Sequence, residues 1–155
     1  MDTNLSEKEY NACQELFKKT HNIDHSQASF FGHLYNTFYI LKRIGASEIT
    51  CLAGLYHAVY GTEYFNLGMI FEESEVIDLI GEESSKLIKY FSHDDRNSVI
   101  LDNSLNLDKK TLLSLIEILY ANYLEQSRGN QLDEKYFSLL TNQIYKYREE
   151  IKVNT

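Results

Sequence analysis

Not one of the 155 residues is proline. Proline is the residue that most reliably breaks a helix interior, so a chain without it is free to build long uninterrupted helices. The apolar residues use that freedom. From Ser26 to Ile44 the residues Phe30, Leu34, Thr37, Leu41 and Ile44 recur at intervals of three and four, and Gly45 supplies a stop. This periodicity predicts an amphipathic helix, with one face inward.

The same reading divides the rest of the chain. Ser6 caps a short helix to Thr20, with Tyr10, Cys13, Leu16 and Phe17 at helical spacing. Ser47 caps a helix from Glu48 to about Tyr60, in which Ala53 and Gly54 are small enough for a second helix to approach closely. Two short helices over Glu73 to Ile80 and Glu82 to His93 flank Gly81, and Asp94 to Leu107 reads as a loop, with Asp102 and Asn103 the place where a small hairpin could form. Asp108 caps a long helix to about Arg128, and Asp133 caps the last, to about Ile151. The expectation is an all-α fold: one domain over residues 1–155, a single compact bundle of six or seven helices with a core at about 24–128, onto which the first and last helices pack.

Composition bounds what such a bundle does. Hydrophobic residues at 43% and charged residues at 25% are ordinary globular values, and a chain of this length buries about two thirds of its unfolded surface in one core. A net charge of -8 argues against nucleic acid or an anionic membrane as partner, since both select basic faces. No apolar run approaches the roughly 20 residues needed to cross a bilayer. Cys13 and Cys51 lack metal-site spacing, and Met1 to Leu5 lacks a signal pattern, so the expected setting is cytoplasmic with reduced thiols. The chain contains no Gly-rich phosphate loop, nucleophile elbow or His-Glu-x-x-His helix.

Chemistry is sought where polar residues interrupt apolar stripes, because a buried polar group is costly unless satisfied or used. Three residues meet that test. His33 lies beside the inward stripe of the second helix, either as a satisfied core histidine or as a ligand. His57 lies four residues after Ala53, just before the turn Gly61-Thr62-Glu63. Asn122 interrupts the stripe of Leu115 and Leu119, as a ligand-facing amide or a bridge between helices. Around them, Glu63 is the expected orienting carboxylate for His57, and Tyr60 or Thr62 a donor. Arg96 and Glu125 are further substrate-binding candidates, each weighed against a plain surface ion pair.

His33, then His57 within Cys-Leu-Ala-Gly-Leu-Tyr-His-Ala-Val-Tyr-Gly-Thr-Glu, then Asn122 within Tyr-Ala-Asn-Tyr-Leu-Glu-Gln, together resemble the HD-domain superfamily over about Asp24 to Gln126. In layout the chain is similar to the alarmone hydrolases of the stringent response. It is more similar to an uncharacterised HD-like family that reads His-Ser or His-Ala at this motif, with Ala53-Gly54-Leu55 and Gly61-Thr62-Glu63 as the specific part. The resemblance implies a helical bundle in which a His, a His-Asp pair and a distant Asp hold a divalent metal that activates water or, in some members, oxygen. Those roles fall on His33, His57, Ala58 and Asn122. Ala58 and Asn122 depart from the pattern, leaving no carboxylate among the expected ligands; His25 and Glu63 are the nearest substitutes in sequence.

Two imidazoles without a carboxylate suit iron or zinc better than magnesium. The resemblance thus implies a hydrolase, or a related lyase or oxygenase, acting on a polar or phosphorylated small molecule. His57, Glu63 and Tyr60 are its catalytic candidates; Thr62, Arg96, Asn122 and Glu125 bind substrate; His25, His33 and His57 hold any metal. The alternative is a catalytically degenerate ligand-binding or protein-interaction module. The Tyr-rich last helix, from Tyr136 through Tyr145 and Tyr147, is expected to serve packing or a homodimer surface.

Overall fold

The computed structural model describes residues 4–25, 28–60, 71–128 and 130–153, without the side chains of residues 24, 25 and 28. Eight α-helices and one two-residue hairpin make up its regular structure: α1 (Glu7–Thr20), β1 (Asp24–His25), β2 (Ala28–Ser29), α2 (Phe30–Arg43), α3 (Glu48–Leu55), α4 (Glu73–Ile80), α5 (Glu82–Phe91), α6 (Arg96–Leu101), α7 (Lys109–Gln126) and α8 (Glu134–Val153). The all-α expectation holds, with one more helix than the upper count anticipated. No helix among the described residues is long and apolar enough to cross a membrane.

Local chemistry sets the boundaries. The Ser6 hydroxyl accepts from the Glu9 backbone while the Glu9 carboxylate accepts from the Ser6 backbone, a reciprocal capping box that starts α1. α2 begins four residues later than the periodicity suggested, because Asp24 and His25 pair antiparallel with Ser29 and Ala28 and Ser29 then caps the helix. It ends in a Schellman motif: the Ala46 N–H bonds the Leu41 carbonyl, the Gly45 N–H bonds that of Lys42, and Gly45 takes φ 81°. Within the segment expected to be a loop, Arg96–Leu101 instead forms α6. Val99 and Ile100 are both buried, and adjacent burial is a helical pattern, since a strand alternates. Asn103, at φ 51°, then turns the chain and clamps the Leu107 backbone with both ends of its side-chain amide.

The buried hydrophobic residues other than Leu112 form one cluster, drawn from each of the eight described helices. α2, α3 and α7 are mutually packed at its centre, with α8 along α7 and α1, α4 and α5 closing the opposite side. Gly54 makes the α2–α3 approach feasible: a Cβ there would lie 2.1 Å from Leu41 Cδ1, a contact no side chain tolerates. Leu41 is fully buried and has little room to yield. Gly54→Ala should therefore cost about 1–3 kcal/mol through overpacking. Thermal unfolding checks this; an unshifted midpoint would mean that the two helices separate freely.

Candidate functional site

Two histidines meet at the centre of this packing. His33 sits in the first turn of α2 and His57 just beyond α3, and both are almost wholly buried. Their Nε2 atoms are 3.3 Å apart, with the rings at 74°. α3 was expected to run to about Tyr60, but its regular bonding stops at Leu55. The Gly54 carbonyl, which a further turn would pair with the Ala58 N–H, accepts instead from the His57 backbone N–H at 3.4 Å and from His57 Nδ1 at 2.7 Å. The residue that ends the helix is thus the residue the helix positions.

The proton positions follow from the partners. A carbonyl oxygen only accepts, so His57 Nδ1 carries a hydrogen and, in the neutral ring, Nε2 carries the lone pair. His33 Nδ1 lies 2.5 Å from Glu125 Oε1. Burial acts to raise the Glu125 carboxyl, but the hydrogen bond and charge of His33, helped by Arg128, more than offset it and hold the group below its usual value. Glu125 is the acceptor, so His33 also presents Nε2 to its neighbour. Two neutral rings would oppose lone pairs across 3.3 Å, an arrangement that a cation between them relieves. Two imidazole nitrogens on one tetrahedral zinc, each at 2.0–2.1 Å, lie about 3.3–3.4 Å apart.

A second feature lies against this pair. Phe91 of α5 packs edge-on to His57 at 5.3 Å between centroids, and the Arg96 guanidinium lies over the same Phe91 ring at 4.3 Å. Arg96 and Asn122 line one polar cavity of about 270 Å³, together with Asp94, Asp95, Gln126 and Tyr136. Asn122 Oδ1 is buried and has no hydrogen-bond partner among the described residues. Such an atom in a folded protein calls for an explanation, and a ligand that donates to it is one.

Arg96 and Asn122 thus come together, as do His33, His57 and Glu125. Glu125 was expected to contact substrate, whereas its two oxygens serve His33 and Arg128. Tyr60 is turned toward α5, its hydroxyl 3.2 Å from Ser85 Oγ, and not toward the histidines as a donor. Thr62 and Glu63 lie outside the described residues, as does the side chain of His25, whose backbone belongs to β1. The acceptor that orients His57 is the Gly54 carbonyl, a backbone group that no reading of side chains finds. Among the described residues no three His, Cys, Asp or Glu side chains are grouped to hold a metal ion. The two Nε2 atoms and the orphaned Asn122 oxygen remain as candidate donors.

The profile of the family described as domain of unknown function DUF6817 matches residues 16–96, a span that includes His33, His57 and Arg96. The chain belongs to that family. Its fold is also that of a solved structure described as a metazoan ortholog of SpoT that hydrolyzes ppGpp: the TM-score is 0.59 at 18% identity, over 94% of this chain and 88% of the other. At that identity the likeness shows the fold alone, an all-helical bundle. No curated protein matches the chain. Within this DUF6817 chain Ala58, next to His57, is buried and carries no ligating atom.

Proposed function

We propose that this DUF6817 protein is a small-molecule hydrolase of HD-like fold, working at the His33–His57 pair on a compact anionic or phosphorylated substrate. The observation that carries the reading is the 3.3 Å separation of two Nε2 atoms whose Nδ1 atoms are both already committed to acceptors. Imidazoles oriented from behind by a carboxylate and a backbone carbonyl are typical of metal-bound histidines, and the donor set suits zinc or iron. His33 and His57 would hold that ion, with Asn122 Oδ1 as a neutral third donor. When bound, it supplies Lewis acidity and a water of lowered pKa.

The chain's own residues account for the rest. Glu125 fixes the tautomer of His33 and balances the charge of the ion that the pair would hold. Arg96, steadied on Phe91, offers the cavity a guanidinium that pairs with a phosphoryl or carboxylate group. ppGpp, the substrate named for the structural neighbour, is not carried over: Ala58 and Asn122 remove the carboxylates that hard-ion phosphate chemistry favours.

The test joins metal content to turnover. Freshly purified protein should contain close to one zinc or iron per chain and should cleave a chromogenic phosphodiester such as bis(p-nitrophenyl) phosphate. His33→Gln and His57→Gln, which keep side-chain bulk and amide hydrogen bonding, should lose the metal and lower turnover by at least about 100-fold. A His57→Gln protein with full metal and full turnover would remove the pair from the reaction. One observation favours the alternative of a ligand-binding module: the buried Ala58 leaves the pair without its carboxylate. Wild-type protein without metal or turnover that still binds a ligand at Arg96 and Asn122 would select it.

A further inference from the structure

About 16 Å along α7 from Glu125, at 1.5 Å per residue, lies a larger cavity with different chemistry. Its volume is about 500 Å³, within the range of small-molecule sites, and it sits where the start of α3, the first half of α7 and the last turns of α8 converge. Three donors line it from two helices.

The first is Arg148. Its Nε and Nη2 both donate to the buried Glu117 carboxylate, at 3.0 and 2.7 Å, and Nη2 also donates to the Ile44 carbonyl at 2.8 Å. These bonds lock the guanidinium in place. Its Nη1 amino group makes no hydrogen bond among the described residues.

The second is Ser114, at the end of a chain of hydroxyls. The Thr50 hydroxyl donates to Ser114 Oγ at 2.8 Å. Thr50 has a single hydroxyl proton, so its 3.0 Å bond to Ser47 must be donated by Ser47. The chain therefore runs Ser47 to Thr50 to Ser114, and the proton of Ser114 is left for whatever occupies the cavity. Lys110 is the third donor, one turn before Ser114 on the same face of α7, where side chains four apart are neighbours. It forms no ion pair among the described residues.

Of the acids lining the cavity, Glu117 is neutralised by Arg148, which leaves Glu149 against Lys110. We propose that this cavity is a second ligand site, separate from the histidine centre, which binds the phosphate group of a small phosphomonoester through Arg148 Nη1, the Ser114 hydroxyl and the Lys110 ammonium. Three donors on separate side chains match the three terminal oxygens of a phosphomonoester better than the two of a carboxylate. Leu113 and Ile151 line the same cavity and give the ligand's organic part apolar contact.

Calorimetric titration of the full chain with phenyl phosphate tests this, with benzoate as the carboxylate counterpart. Saturable one-to-one binding of phenyl phosphate is expected, at a Kd of about 1 mM or tighter, with benzoate at least about tenfold weaker. Ser114→Ala and Lys110→Gln should each weaken it about tenfold, the effect of losing one hydrogen bond to a charged group. Lys110 is exposed, so Lys110→Gln folds even where Ser114→Ala loosens the hydroxyl chain. Absence of saturable binding overturns the proposal, as does equal affinity for benzoate. Binding that survives Lys110→Gln but disappears in His57→Gln would assign the phosphate to the histidine centre and also overturn it, leaving the hydrolase reading intact.

Discussion

Glu125→Ala is expected to destabilise the protein by about 3–4 kcal/mol, a fall of roughly 10 °C in the unfolding midpoint, and to weaken metal retention by about 10–100-fold. Both effects have one origin. The Glu125 carboxylate is the acceptor for His33 Nδ1, and both side chains are about 95% buried. Without it, a buried N–H has no partner, and the cation that the two Nε2 atoms call for has lost its counter-charge. Glu125→Gln separates the contributions, because the amide oxygen still accepts from Nδ1 while the charge is gone. It should retain most of the stability but not the metal affinity. Denaturation and metal analysis of the two variants check this. If Glu125→Ala unfolds with wild-type stability and keeps its metal, Glu125 is no positioning residue.

How much of this centre was legible beforehand differs residue by residue. His33, His57 and Asn122 were conspicuous because each interrupts an apolar stripe, and a one-dimensional period exposes such interruptions. The use of Gly54 was also visible, as a small residue on a packing face. The Glu125–His33 bond was not, since the two residues are 92 positions apart and only the α2–α7 packing brings them together. Glu125 follows Asn122 by a single turn, so the sequence marks its face of α7 but not which helix that face meets. α6 was missed because a helix of six residues carries little periodicity, and its Asp and Asn neighbours resemble turn residues. The early end of α3 was hidden for another reason. It depends on a side-chain-to-backbone bond within one turn, a competition for the Gly54 carbonyl that propensity does not encode.

The packing of α2 against α7 also explains how the histidine pair stays organised. It places a negative charge, that of Glu125, behind His33. Such an arrangement keeps an imidazole pair oriented whether its cation is a proton or a softer metal. A hard ion gains little from it, because the charge does not reach the coordination sphere.

The largest stability effect at the opposite end of the bundle should come from Arg148→Ala, at about 3 kcal/mol near neutral pH. Arg148 joins α8 to α7 through Glu117 and to the end of α2 through the Ile44 carbonyl, so its loss strands a carboxylate that is 3% exposed. The pH dependence distinguishes this cause from simple loss of packing. Burial raises the Glu117 carboxyl above its ordinary value of 4.5, and Arg148 offsets that only in part. The folded state therefore binds the Glu117 proton more tightly than the unfolded state does. The stability this contributes is fully present below the unfolded value and is lost as pH rises through the folded one. Removing Arg148 moves the folded value higher still and enlarges the loss. The deficit of Arg148→Ala should accordingly be greatest at neutral pH and shrink as the medium approaches the ordinary glutamate range. The double variant Glu117→Gln, Arg148→Ala should show a deficit that no longer varies with pH. Chemical denaturation across that interval measures both, and a single-variant deficit that stayed flat or grew in acid would show that the Glu117 charge is not what Arg148 compensates.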